Sequence, residues 1–281
     1  MSTGPLILKF GGELLEDRSR LATIVSAIAR AAKQGVPLVV VHGGGKEIDA
    51  ALKAAGIEKQ QVDGLRITDD ATLEIVVAVL AGAVNTRLVA ALVASGVRAV
   101  GLTGADARCG LSDPAPAHRA VDGRSVDLGR VGIPSAGSDT ALLTTLVGER
   151  FVPVVASIGI GRDGRLLNVN ADTLAGHLAG RLGAKRLIVA GTTAGVLGAD
   201  GSTAPVLDRA AIERLVSGGT ATAGMIAKLH ACEQAIAAGV GDVLIVDGRD
   251  EAAIDAALAG AVPGNATRIA GLKTCATSTQ V

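Results

Sequence analysis

The chain of 281 residues has no tryptophan and no tyrosine, and its only phenylalanines are Phe10 and Phe151. A nucleobase bound here cannot be stacked between rings, so aliphatic walls and backbone must hold it. There is no excess charge of either sign: 27 Lys and Arg balance 27 Asp and Glu, and the basic residues are scattered. Nucleic acid is therefore not an expected partner, because binding a phosphate backbone needs a clustered positive face. Cysteine is scarce. Cys109, Cys232 and Cys275 stand far apart, in neither CxxC nor metal-ligand spacing, which suits a reducing cytoplasm and predicts no metal centre. The N-terminus lacks the basic and apolar regions of a leader, and no apolar run reaches membrane-spanning length, so no membrane is expected. Also missing are the G-K-S/T end of a Walker A loop and a G-x-G-x-x-G after the first strand. A nucleotide, if bound, is held another way.

What the chain does have is an alternation of strand and helix. Apolar runs predict strands at 6–10, 37–42, 99–102, 152–157, 186–190 and 243–246. Helical periodicity predicts helices at 21–32, 47–55 (stopped by Gly56), 72–95 (with a break near Gly82), 140–149, 174–182, 209–217, 225–238 and 251–258. Residues 105–135 read as loops and short strands. The β-branched run at 37–42 suits a strand buried on both faces. The pattern implies a mainly parallel sheet covered by helices on both sides.

The most informative stretch is 158–172, ending in N-V-N-A-D before an apolar helix. Asn168, Asn170 and Asp172 crowd the mouth of that helix. Carboxamides there can orient an anion and a carboxylate can hold a lysine, although an Asp in that place is also a common N-cap. Glycines follow four strands: Gly11-Gly12, Gly43-Gly44-Gly45, Gly101–Gly104 and Gly159–Gly161. Such turns put backbone N–H groups at the carboxyl end of a parallel sheet, where anions bind. Lys9, at the end of the first strand, can stabilise charge on a transferring phosphoryl group, or can simply point to solvent. Lys228, in G-M-I-A-K, is a second such cation or an ordinary surface lysine. Arg66, in G-L-R-I-T-D, can grip a carboxylate bidentately or can pair with Asp69 or Asp70. His42 is expected to make a structural hydrogen bond. His118, His177 and His230 form no constellation that spacing reveals.

Taken in order, L-K-F-G-G (8–12), V-V-V-H-G-G-G (39–45), G-L-R-I-T-D (64–69), L-A-G-A-V-N (80–85), D-L-G-R-V-G (127–132), N-V-N-A-D (168–172), G-M-I-A-K (224–228) and D-G-R (247–249) resemble the amino acid kinase family. G-L-R-x-T with N-V-N-A-D resembles its acetylglutamate kinase branch. The resemblance covers nearly the whole chain. It implies an α/β three-layer αβα sandwich with a central, mainly parallel open sheet. That would be a single domain whose N-terminal lobe (about 1–180) binds the acidic substrate and whose C-terminal lobe (about 181–281) binds the nucleotide. The activity implied is ATP-dependent phosphorylation of the γ-carboxylate of N-acetyl-L-glutamate, the second step of arginine biosynthesis, with Mg2+ carried by the nucleotide. By the same resemblance Lys9, Lys228 and Asp172 are catalytic, and Gly44, Gly45, Arg66 and Asn168 bind the acid. Gly11, Gly12, Thr192, Gly195, Leu197 and Thr222 bind the nucleotide.

The chain departs from the family pattern in three places. Thr192 stands where an Asp is usual, Ala223-Gly224 replaces Gly-Gly, and Lys46 follows H-G-G-G where Pro is common. These leave open a kinase for a related carboxylate, such as carrier-bound α-aminoadipate, and a non-catalytic sensor of nucleotide or amino acid. Ahead of the first strand stand about five residues, fewer than the ~12 a marginally stable helix needs. Arginine-inhibited relatives carry an additional helix there that links dimers into a ring. The expectation is a cytoplasmic homodimer insensitive to arginine, with the apolar helix near 72–94 as its seam.

Overall fold

A computed structural model describes residues 4–198, 201–218 and 223–270. Its centre is an eight-stranded sheet. In chain order the strands are β1 (Leu6–Phe10), β2 (Leu38–His42), β3 (Ala99–Thr103), β4 (Val152–Ala156), β5 (Arg186–Gly191), β6 (Val206–Leu207), β7 (Val243–Asp247) and β8 (Thr267–Ile269). Across the sheet they run β6-β8-β7-β5-β1-β2-β4-β3. Every neighbouring pair is parallel except β7 with β8. The central strands β1, β2, β4, β5 and β7 are buried at every residue, as their unbroken apolar runs require in a sheet covered on both faces.

The helices are α1 (Arg18–Lys33), α2 (Gly45–Ala54), α3 (Asp70–Ala94), α4 (Ala141–Gly148), α5 (Ala171–Arg181), α6 (Arg209–Ser217), α7 (Ala223–Ala237) and α8 (Glu251–Leu258). Side chains alternate across β1, and the core divides with them. Leu8 and Phe10 join Ile24, Ile28, Leu88, Leu92 and Ile254 from α1, α3 and α8 on one face. Ile7 joins Leu143, Leu174, Leu178, Ile212 and Leu229 from α4, α5, α6 and α7 on the other. These are the three layers and the mainly parallel sheet expected.

Several details differ from expectation. The hairpin Ile158–Ile160 with Leu166–Val169 belongs to a second, four-stranded sheet that also holds Ser112–Pro114 and Val131–Pro134. Gly159 is inside a strand there, not in a turn. A Cβ on it would lie 2.8 Å from Val169 Cγ2, so that glycine serves close packing. Gly101 likewise sits within β3, and a Cβ on Gly104 would lie 2.9 Å from Gly110 Cα. Two of the four glycine turns are thus packing sites. The last strand, β8, was not expected, since its three residues carry too short a pattern.

Helix α3 does not break at Gly82. It passes through a π-helical segment, Ala78–Val84, and continues to Ala94. Read as one helix of 25 residues, with a mean hydropathy of 2.0 over its most apolar window, it is long and apolar enough to cross a membrane, contrary to expectation. About a third of that window (33%) is buried in the molecule.

Candidate active site

Five helices begin under an Asp or Asn side chain: Asp17 caps α1, Asp69 α3, Asn170 α5, Asp208 α6 and Asp250 α8. Helix α2 begins at Gly44, which has no side chain to offer. Its first N–H groups therefore face outward as donors, at the positive end of the helix dipole. The Gly11-Gly12 turn after β1 lies directly beside it, so close that a Cβ on Gly12 would stand 2.5 Å from Gly44 Cα. Neither turn could carry side chains and keep this approach. The backbone N–H groups of Gly11, Gly12, Gly44 and Gly45 have no hydrogen-bond partner among the described residues. Unpaired donors of this kind are rare inside a fold unless a ligand takes them.

Lys9 is almost fully buried at the end of β1, with its Nζ 2.7 Å from Asp172 Oδ1. The contact is one of charge, without the alignment of a hydrogen bond. Asp172 is free for this because Asn170 is the N-cap, its Oδ1 accepting from the N–H of Asp172 (2.9 Å) and of Thr173 (3.1 Å). The cap reading of Asp172 is thereby corrected to Asn170, two residues earlier. Lys228, on α7, reaches the end of β5, where a Cβ on Gly191 would meet its Nζ at 2.9 Å. It has no ion pair among the described residues. Burial, and then the charge of Lys9, lower its pKa, while Asp172 and Glu13 act in the other direction. One turn further along α7, burial pushes the Cys232 thiol up to about 12, so it is a neutral wall.

Gly12, Glu13, Gly45, Lys46, Asp49, Lys59 and Arg66 line a cavity of about 290 Å3 beside the two turns. Arg66 is anchored there. One nitrogen, Nη2, bonds Asp49 and the carbonyl of Gly45 (3.3 Å), while Nη1 is buried without a partner. Lys59 holds the other oxygen of Asp49 at 2.8 Å. The partners expected for Arg66 are used elsewhere: Asp69 caps α3, and Asp70 pairs with Arg130 at 2.5 Å. Asn168 donates to Thr68 Oγ1 (3.1 Å), two residues past Arg66. Thr192 donates to Glu13 Oε1 (3.4 Å), which brings it to the edge of the same cavity. Gly195 and Leu197 belong to a separate tie with Thr203 and Thr267. Leu197 is half exposed. Thr222 lies outside the described residues.

Lys9, Gly11, Gly12, Gly44, Gly45, Arg66, Asp172 and Lys228 thus converge on one cleft, and Asn168 and Thr192 flank it. Sequence reading missed Glu13, Asp49 and Lys59. Asp49 was visible in principle, one helical turn after Gly45 and on the same side of α2. His118 pairs with Asp63 (2.8 Å) and His230 with Glu233 (3.3 Å).

A cleft with two cations, unpaired N–H groups and no nearby nucleophile can bind and neutralise phosphates. The family model described as "Amino acid kinase family" matches residues 4–247. The chain belongs to the amino acid kinase family. It is 42% identical over 247 residues to the acetylglutamate kinase of Sphingopyxis alaskensis, covering 86% of this chain and 82% of that one. It is 41% identical over 249 residues to the acetylglutamate kinase of Acidiphilium cryptum, covering 87% and 83%. Among solved structures it is similar to N-acetylglutamate synthase from Neisseria gonorrhoeae, at 25% identity and a TM-score of 0.81, over 96% of this chain and 60% of that one. Giardia carbamate kinase shares the fold, with a TM-score of 0.66 at 18% identity, over 95% and 98% of the two chains.

Proposed function

We propose that this chain is an acetylglutamate kinase: it transfers the γ-phosphoryl of ATP to the γ-carboxylate of N-acetyl-L-glutamate, in arginine biosynthesis. The observation that carries this reading is the convergence of Lys9, Lys228 and four unpaired backbone N–H groups on a cleft that also holds Arg66, within a chain about 40% identical to acetylglutamate kinases. A carboxylate of the acid attacks the γ-phosphorus, a new C–O–P bond forms, the bond to the β-phosphate oxygen breaks, and ADP leaves. No general base is required, because a carboxylate is ionised at neutral pH. Catalysis is then positioning and charge neutralisation.

Lys9 and Lys228 are assigned to opposite sides of the phosphoryl, with Asp172 holding Lys9 in place. Gly11, Gly12, Gly44 and Gly45 are assigned as N–H donors to its oxygens. Arg66, through its unpartnered Nη1, and Asn168 are assigned to the acid. Thr192, Gly195 and Leu197 are assigned to the nucleotide, which divides the chain into an acid-binding lobe (about 1–180) and a nucleotide-binding lobe (about 181–281). Among the described residues no group of three His, Cys, Asp or Glu could hold a metal. Mg2+ is accordingly taken to arrive on the nucleotide phosphates, whose charge it offsets. The reading extends to a cytoplasmic homodimer. The edge strand β3 has one uncovered side, and α3 beside it exposes Val93, two features that a second copy would cover.

A hydroxamate assay over glutamate, N-acetylglutamate and a carrier-linked α-aminoadipate tests the substrate. N-acetylglutamate should be phosphorylated far faster than the others. Preference for the carrier-linked acid, or no turnover with any of them, would overturn the assignment.

A further inference from the structure

The motif L-A-G-A-V-N at 80–85 has no part in the chemistry above, yet it packs directly behind the glycine turn of α2. Helix α3 runs as a π-helix over Ala78–Val84 and returns to α at Asn85. A π turn closes over one more residue than an α turn, which brings Leu80, Val84 and Asn85 to a common face. Leu80 and Val84 close on Gly44, whose Cβ, if it had one, would lie 2.8 Å from Leu80 Cδ2 and 3.4 Å from Val84 Cγ2.

Asn85 reaches His42 at the end of β2. Its Nδ2 lies 2.9 Å from the carbonyl of Val154, 3.4 Å from that of Leu102 and 3.0 Å from His42 Nε2. The two carbonyls can only accept, so this atom is the amide nitrogen and His42 Nε2 accepts from it. The ring proton is then on Nδ1, which donates to the carbonyl of Gly43 at 3.1 Å. Both side chains are buried, and a side chain on Gly101 would collide with Asn85 Oδ1.

We infer that Asn85 and His42 are positioning residues, which pin the Gly43–Gly44 peptide so that the N–H of Gly44 stays aimed as a donor. A trans peptide is planar, with its C=O and following N–H pointing in opposite directions. Fixing the oxygen of Gly43 therefore fixes the N–H of Gly44. Three successive glycines have no side chains to restrict their own backbone, so the order must come from outside the turn. Asn85 holds the ring and the ring holds the peptide. The inference rests on the assignment of the glycine turns to the transferring phosphoryl.

Two substitutions separate the ends of the imidazole. His42→Asn places an amide nitrogen near the position of Nδ1 and can still donate to the carbonyl of Gly43. His42→Gln reaches the position of Nε2, keeps a partner for Asn85 and releases Gly43. In H42Q, kcat should fall about tenfold to a hundredfold, because a donor has lost its aim. The KM values for ATP and acid should stay within about twofold, as expected when an interaction with the transition state is lost. H42N should keep kcat within about threefold of the native value, at a similar Tm.

Equal loss in both variants, loss expressed in KM, or loss that follows Tm would mean that His42 is only a packing residue. Gly101→Ala, at the sheet's outer edge, probes the same chain of contacts without touching the ring. It should displace Asn85 and lower kcat at constant KM, and an unchanged kcat would overturn the inference. Should Lys9→Ala keep its turnover, the phosphoryl assignment itself fails, whatever the histidine variants do.

Discussion

The two ends of the central sheet treat buried charge in opposite ways. At the amino end of β5, Arg186 is buried and fully engaged. It donates to Asp242 (2.6 Å), to the carbonyls of Ala257 and Ala261 (2.7 Å each) and to that of Gly260 (2.9 Å). It thereby closes the C-terminal end of α8, where carbonyls would otherwise lack donors. At the carboxyl ends of β1, β2 and β5 the polar groups are left short of partners. Lys228 has no counter-ion of its own, Nη1 of Arg66 has no acceptor and four backbone N–H groups are unmet. A saturated cluster stabilises a fold, and an unsaturated one is a demand for a ligand. Here the demand is for negative charge.

The contrast can be broken most forcefully at its saturated end. Arg186→Met should cost about 3–5 kcal/mol, as removal of one partner of a buried pair does, with turnover per folded molecule unchanged. Urea unfolding and active-site titration together check this, and a loss of turnover without loss of stability would reverse the roles assigned to the two ends. Next in size, Lys9→Ala and Lys228→Ala should each lose about a hundredfold in kcat, roughly 3 kcal/mol in the barrier, and an Arg at either position should not restore it. The two should differ in stability. Lys9→Ala leaves Asp172 without its close partner and should lower Tm, which a thermal melt of the purified variant would reveal.

Arg66→Lys should raise KM for the acid about tenfold and barely alter KM for ATP, since an ammonium cannot both stay on Asp49 and present a second donor. Initial rates with each substrate varied in turn decide this, and equal changes in both constants would detach Arg66 from the acid. The smallest effect concerns pH. The pKa of Lys228 is below its ordinary 10.5 in the folded protein, so below the depressed value its charge is a cost to folding. In the window between the two values the unfolded chain binds more protons, and stability rises with pH. Lys228→Met should therefore melt higher than the native chain at neutral pH, with an advantage that shrinks as pH rises through that window. A lower Tm at neutral pH would refute it.

Much of this was legible in the sequence, for identifiable reasons. Strands buried on both faces announce themselves as unbroken apolar runs, and β1 was read with the bounds it has. Helices α6 and α8 were too, because an Asp precedes each and the periodicity is clear. The convergence of Lys9 with Asp172 was suggested by chemistry, but the cap had to be seen, since Asn170 and Asp172 are equally good capping residues. What sequence could not give were pairings between distant segments. Nothing near Asp49 says that it will hold Arg66 and Lys59, and nothing near Gly159 says that Val169 will leave it no room. The continuation of α3 through Gly82 was missed because a glycine inside a helix reads as a break, whereas a π turn accommodates it.

The π-helical segment has a bearing on how this chain can be altered by inheritance. One residue more than an α-helix needs is the kind of change that a single inserted codon makes. Removing a codon anywhere between 78 and 84 would leave a sequence that forms a straighter, more regular helix. It would also swing everything after the deletion by about 100° relative to everything before it, since an α-helix turns once in 3.6 residues. Asn85 would then face away from His42 while Leu80 stayed in place. A lineage carrying this catalytic turn is thus held to the longer helix, and can lose its activity by an in-frame deletion that leaves a well-folded protein.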